Sequence, residues 1–239
     1  MARKSDLDRR LTRLLALHEA LQDPRREPRN RLAWVPEVRR WQALRLEESF
    51  DHFLRDPRKR PAAQFFLTDV YGDHDFSRRD ADIARVLPMM HRLLPDALLV
   101  AVADAIELGV LTHAFDLRMA GRLQAIAPRA KALDGELYAH AYRLTGLPRL
   151  RSRQIDLIVS VGSGLARALR MPGVSTLLRL SRGPARSAGL ADLQGFLERG
   201  YAAFSQLGHV GEFVGEIERD ERVLSRRLFA GERNPYRRG

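Results

Sequence analysis

Apolar residues recur at helical spacing along almost the whole chain, which leaves little material for a sheet. Leu7, Leu11, Leu14, Leu15 and Leu21 mark a first helix, with Ser5 and Asp8 spaced as a capping box. The polar break 24–30 (PRREPRN) ends it. A second helix starts near Pro36, a residue suited to a first turn, and carries Val38, Trp41, Leu44, Phe50, Phe53 and Leu54. The segment 56–61 (DPRKRP) closes it, and a short helix follows over 62–71, ended by Gly72. After a loop at 73–76, Ser77 and Asp80 are spaced to cap another helix, which Pro88 kinks or splits. Pro95 opens a long helix through Val100, Ile106, Leu111 and Phe115 towards Leu123. A helix over 133–145 meets a stop signal in Gly146 and Pro148.

The C-terminal part continues the pattern. Residues 152–169 are expected to be helical despite Gly162 and Gly164. Met171-Pro172-Gly173 breaks that helix, a short one follows over 174–180, and 182–189 is a Gly/Pro loop. Helices over 190–207 and 210–229 close the chain. No internal repeat, low-complexity tract or long linker interrupts it. The expectation is an all-α chain, residues 1–239 forming a single globular multi-helix bundle of about ten helices. The one strand candidate is 155–161 (IDLIVSV), which the glycines of VGSG follow as they follow the first strand of a dinucleotide fold. Arg167 stands where that fingerprint needs its third glycine, and no other strand is available to build a sheet.

Charge narrows the partner more than the fold. The net charge is +11, but only Lys4, Lys59 and Lys131 are lysines, and the other 38 basic residues are arginines. Residues 1–60 are net +6, 61–142 net −3, 143–186 net +8 and 187–239 neutral. The third stretch holds nine arginines (Arg143, Arg149, Arg151, Arg153, Arg167, Arg170, Arg179, Arg182 and Arg186) against the single acid Asp156. Such a segment can form a face for an acidic protein or another polyanion, including phosphates or an anionic membrane surface. Alternatively, its arginines pair with the acidic middle third of the same chain. Nucleic acid is permitted by the charge but supported by no motif, and 143–186 contains no aromatic residue to stack on bases.

Several chemistries find no footing. Cysteine is absent, which excludes disulfides, thiolate metal sites and a cysteine nucleophile. There is no G-x-S-x-G elbow and no Walker lysine. His18-Glu19 is not followed by the second histidine of a zinc helix, and Glu48–His52 and Glu136–His140 are spaced by four rather than the three of a di-iron turn. A haem site would rest on a lone helical His18, with Gly211 and Gly215 on a late helix. Asp73-His74-Asp75, Asp80 and Asp82 form the most acidic cluster, but not at the spacing of a calcium loop. No cofactor or metal is therefore assigned. MARKSDLDRR has no apolar core of a secretory signal, and no window is apolar without interruption for the length of a membrane span. The expected location is the cytoplasm.

Residues 65–72 read Phe65-Phe66-Leu67-Thr68-Asp69-Val70-Tyr71-Gly72, which resembles the signature of the FFLEELY-motif proteins, a bacterial family of unknown function. Thr68 replaces the first Glu, Asp69 shortens the second and Val70 replaces a Leu. Phe76–Asp82 (FSRRDAD), 105–108 (AIEL) and 182–185 (RGPA) also resemble the family. The resemblance implies an all-helical domain and supplies no activity or catalytic residue. Read physically, this dense apolar turn is buried on more than one side, so Asp69 needs a partner, such as an Arg, and Tyr71 keeps its ring inside with its hydroxyl bonded.

A second candidate lies on the long helix. Asp104 and Glu107 are one turn apart, and His113 and Asp116 form another pair rotated from the first by 120° or more, so one helix does not bring all four together. Because apolar residues cover nearly every direction of this helix, it is expected to be buried, and its acids to be bridged or shifted in pKa. They are either Arg–carboxylate bridges or, with Asp69 and Tyr71, the polar pocket of a helical enzyme or ligand sensor.

Overall fold

The computed structural model describes residues 2–70, 96–130, 132–233 and 235–236. Among these there are ten α-helices and no strand: α1 (Ala2–Gln22), α2 (Trp34–Arg55), α3 (Arg60–Phe65), α4 (Asp96–Ile126), α5 (Gly135–Thr145), α6 (Pro148–Arg170), α7 (Val174–Leu180), α8 (Arg182–Ser187), α9 (Ala191–Ser205) and α10 (Val210–Ala230). The all-α expectation holds. The cap at Ser77, the kink at Pro88, the acidic cluster 73–82 and Tyr71 lie outside the described residues.

The stop signals act as their chemistry dictates. Asp134 caps α5 by accepting from the Leu137 amide at 2.8 Å, and Gly146 ends the helix at φ 65°. Gly173, at φ 84°, lets the chain turn from α6 into α7. Ser5 falls inside α1 rather than at its start, since the helix begins at Ala2.

One expectation holds and one is corrected. Residues 155–161, the strand candidate, lie in the middle of α6, as the helix expected over 152–169 requires. Buried Gln154, Ile155, Leu157, Ile158 and Ala166 keep helical spacing, and that longer period overrides the β-branched run. Residues 182–189 are not an open loop: α8 forms there, with Pro184 in its first turn, where a missing amide costs nothing. The Ala188 amide still donates to the Pro184 carbonyl at 3.0 Å.

The contacts form two compact units, each discontinuous in sequence. The first comprises Met1–Gln42, Val102–Val161 and Val214–Gly239; the second comprises Ala43–Ala101 and Gly162–Phe213. No composition shift marks the boundaries, because they fall inside α2, α4, α6 and α10.

In the first unit, Trp34, Val35 and Val38 of α2 pack with Leu117, Met119, Ala120 and Leu123 of α4, Tyr138 and Tyr142 of α5, and Leu228 of α10. Trp41 stacks on Tyr138 with ring centroids 3.8 Å apart. Such a pair adds on the order of 1 kcal/mol beyond the area it buries.

The second unit has a phenylalanine core. Phe53 packs on Phe213 with centroids 4.7 Å apart, and Phe50, Phe65, Phe66 and Phe204 surround them. The α3 helix continues as a single π-type turn, Phe66–Val70. The tip of the Phe65 ring lies against Gly200 of α9, where a Cβ would come within 2.9 Å of it. Gly164 serves α6 in the same way, since a Cβ there would sit 2.3 Å from the Ala101 Cβ. Close helix packing thus explains one glycine of the VGSG sequence without a nucleotide.

The long helix α4 is less enclosed than its composition implies. Leu99, Ala103, Ile106, Val110, Leu117, Met119, Ala120 and Leu123 are buried, but Leu108, Leu111 and Phe115 are only half-buried and Val100 is exposed. By length and mean hydropathy (1.7), Leu98–Ile126 could cross a membrane, a test that the core helix of a soluble protein also passes.

Candidate functional site

The first unit holds three polar clusters along α4, and an arginine completes each. Arg10 falls within the Leu7–Leu11–Leu14 stripe of α1, so its stem follows the apolar face inward. Its Nη2 donates to Asp104 Oδ1 at 2.6 Å and to Glu107 Oε2 at 2.5 Å. Arg153 of α6 donates to the other Glu107 oxygen at 2.9 Å, and the Ser160 hydroxyl donates to Asp104 Oδ2. Burial pushes the Glu107 acid up, but the hydrogen bonds from Arg153 and Arg10 outweigh it and hold the group below the usual carboxylate range.

The second cluster contains His113 and Asp116, both buried. Arg39 Nη2 lies 2.9 Å from His113 Nδ1. A guanidinium can only donate, so Nδ1 accepts, and Nε2 carries the proton and donates to the Leu21 carbonyl at 3.1 Å. Burial, reinforced by the Arg39 charge, lowers His113 to about 4. The imidazole is therefore neutral at neutral pH, with both nitrogens engaged and neither open to a metal or a substrate proton. Asp116 is less well served. Its Oδ2 is 3.7 Å from Arg39 Nε, and its Oδ1 has no hydrogen-bond partner among the described residues. Burial raises it to about 6 against the pull of Arg39, Gln42 and Arg151. The Gln42 amide also donates to the Tyr138 hydroxyl at 3.3 Å.

In the third cluster Arg151 of α6 bridges α10 by donating to Glu221 at 2.6 Å and also bonds Gln154. Gln154 in turn donates to the Thr112 hydroxyl at 2.6 Å. The four candidate residues of α4 thus divide into two separate pairs. Arg10, Arg39, Ser160, Gln154 and Glu221 were not singled out from the sequence. A signal existed for two: Arg10 sits amid the leucine stripe of α1, and Arg39 is adjacent to the Val35–Val38–Gln42 stripe of α2.

The second unit supplies the partner expected for Asp69. Arg199 of α9 donates to Asp69 Oδ1 from Nε at 2.8 Å, and its Nη2 lies 2.6 Å away. Gly195 makes room for this, since a Cβ there would approach Arg199 Nη1 to 3.0 Å. Phe65 on Gly200 and Asp69 on Arg199 together seat the phenylalanine motif on α9.

That motif lies within the stretch that a family model matches. A family model described as a domain of unknown function, DUF8198, matches residues 21–235. The chain belongs to the DUF8198 family. No curated protein and no solved structure matches it.

Within this DUF8198 chain the nine arginines of 143–186 have different fates. Arg151 and Arg153 hold Glu221 and Glu107, and Arg182 donates to Glu198 at 2.7 Å. Arg143, Arg149, Arg167, Arg170, Arg179 and Arg186 are exposed and make no ion pair with a described residue. The first four of the nine lie in one unit and the last five in the other, so each group is a surface by itself. Beside the last group, Arg182, Arg186, Ala191, Gln194, Gly195 and Glu198 line a cleft of about 250 Å³. Gln194 and Arg182 both donate to Glu198 there, which holds that carboxyl below its usual range. No group of three His, Asp or Glu side chains poised for a metal occurs among the described residues.

Proposed function

We propose that this protein is a binding protein, and that its arginine-rich segment engages a polyanionic partner. One observation carries the reading. Between Asp156 and Asp192 the chain has no acidic residue and five arginines, of which only Arg182 pairs with a described carboxylate. Exposed cations without internal partners keep their long-range attraction for an anion, whereas a bridged pair does not. Asp104, Glu107 and His113 of α4 favour this reading over an enzyme or sensor, because neighbouring side chains or backbone engage their polar atoms, whereas Asp116 alone of the four leaves an oxygen without a described partner. The proposal keeps the chain among the FFLEELY-motif proteins of bacteria, on the strength of Phe65, Phe66, Leu67 and Asp69, and places it in the cytoplasm.

Heparin, a generic polyanion, gives the test. Wild-type protein should elute from a heparin column at clearly higher salt than Arg170→Glu/Arg179→Glu/Arg186→Glu. The comparison is with Arg13→Glu/Arg118→Glu/Arg122→Glu, which makes the same charge change at exposed sites elsewhere. If both triple variants elute together, the segment has no special role and net charge accounts for retention.

A further inference from the structure

We infer that α7 and α8 form a docking surface for an anionic lipid bilayer, so that the polyanion of the proposed function is a layer of lipid headgroups. This inference rests on that reading and names its partner.

Neither α7 nor α8 contains a buried residue. At 100° per residue, Val174 and Leu178 share one side of α7 and are half-buried, and Gln194 of α9 donates to the Leu178 carbonyl at 2.6 Å. Leu177, at the edge of that side, and Leu180, pointing away from it, are 52% and 69% exposed. Arg179 on α7 and Arg182 and Arg186 on α8 are exposed around them, with Arg170 just before. Outward leucines and arginines, of which only Arg182 pairs with a described carboxylate, therefore occupy the same short exposed stretch of the chain. Leucine entering the acyl boundary while guanidinium groups meet phosphates is how an interfacial helix holds to a membrane. The cytoplasmic leaflet is the anionic one, and each basic residue near it adds to the attraction.

The alternatives fit less well. A partner helix needs an apolar groove to receive its side chains. Here the leucines project outward, and the adjoining cleft is lined mainly by Arg182, Arg186, Gln194 and Glu198. Single-stranded nucleic acid would call for aromatic stacking, and 143–186 has no aromatic residue. A bilayer offers negative charge and an apolar layer together and demands no complementary shape.

Vesicle co-sedimentation tests this with the full-length protein. Vesicles of phosphatidylcholine alone are compared with vesicles containing about a third phosphatidylglycerol, at low and high salt. The protein should sediment with the anionic vesicles only, and high salt should release most of it. Arg179→Glu/Arg186→Glu and Leu177→Ser/Leu180→Ser should each weaken binding roughly tenfold, with helical content and melting temperature unchanged. Leu180→Ser alone, at the most exposed position, replaces the double variant should that unfold. Binding to neither vesicle, equal binding to both, or leucine variants that bind as wild type would each overturn the inference. Retention on heparin without vesicle binding would sink the lipid assignment and leave the polyanion reading standing. Loss of both would remove both.

Discussion

Arginine does two different jobs in this molecule, and the contrast separates structure from candidate function. Around α4 the guanidinium groups of Arg10, Arg153 and Arg151 reach carboxylates that are mostly shielded from water, at 2.5–2.9 Å. On α7 and α8 the same side chains project outward, and only Arg182 has a carboxylate. The first set neutralises buried acids that would otherwise be intolerable in a protein interior. Arg182 apart, the second set bridges no described carboxylate, so its removal should leave the fold intact.

The sharpest way to break this contrast is to remove Arg10. Its loss strips Asp104 of the one arginine among the described residues that hydrogen-bonds it, leaving the Ser160 hydroxyl, while Glu107 keeps Arg153. Taking one partner from a buried pair costs about 3–5 kcal/mol, and Arg10 is about a third exposed, which points to the lower end. Arg10→Ala should therefore destabilise the protein by about 3 kcal/mol in urea unfolding, and Arg10→Lys by less. A loss under about 0.5 kcal/mol would place Arg10 with the surface arginines and erase the distinction.

A finer test contrasts the well-served acids with Asp116. Asp116 is raised to about 6, so the folded state holds its proton more tightly than the unfolded chain does. Its stabilising contribution is complete below about pH 4 and is lost as pH rises through 6. His113, lowered to about 4, behaves oppositely: its contribution is complete above about pH 6.5 and is lost as pH falls through 4. Between pH 4 and 6 the two nearly cancel. Asp116→Asn removes one side of that balance. Stability should then fall more steeply on acidification than in wild type, by up to about 1.4 kcal/mol per pH unit in that window. Parallel pH profiles for the two proteins would mean that the folded state does not hold the Asp116 proton more tightly than the unfolded chain does.

Much of this architecture can be read from the chain. Apolar spacing and Gly/Pro punctuation locate most helices to within a few residues, because Gly146 and Gly173 take left-handed conformations that end or begin helices. The need of Asp69 for an arginine also follows from burial alone. The identity of that arginine does not, since Arg199 is 130 positions away. The same limit hides the bridges at Asp104 and Glu107, where composition shows an excess of arginine but only the fold chooses Arg10 and Arg153. The two compact units escape notice for a similar reason: their boundaries lie within helices whose periodicity never falters.

The smallest expected effect is the most informative about function. Arg179→Ala/Arg186→Ala removes two exposed cations with no ion pair to a described residue, so unfolding free energy should stay within about 0.5 kcal/mol of wild type. Stability could even rise slightly, because each arginine adds repulsion to a segment that has no acid between Asp156 and Asp192. Arginines that contribute nothing to stability and repel one another have no structural reason to cluster, so a neutral result strengthens the case that an anion outside the chain accounts for them. A loss of 2 kcal/mol or more would tie α7 and α8 into the fold through these side chains. Their chemistry would then match that of Arg10, and the division of labour among the arginines would disappear.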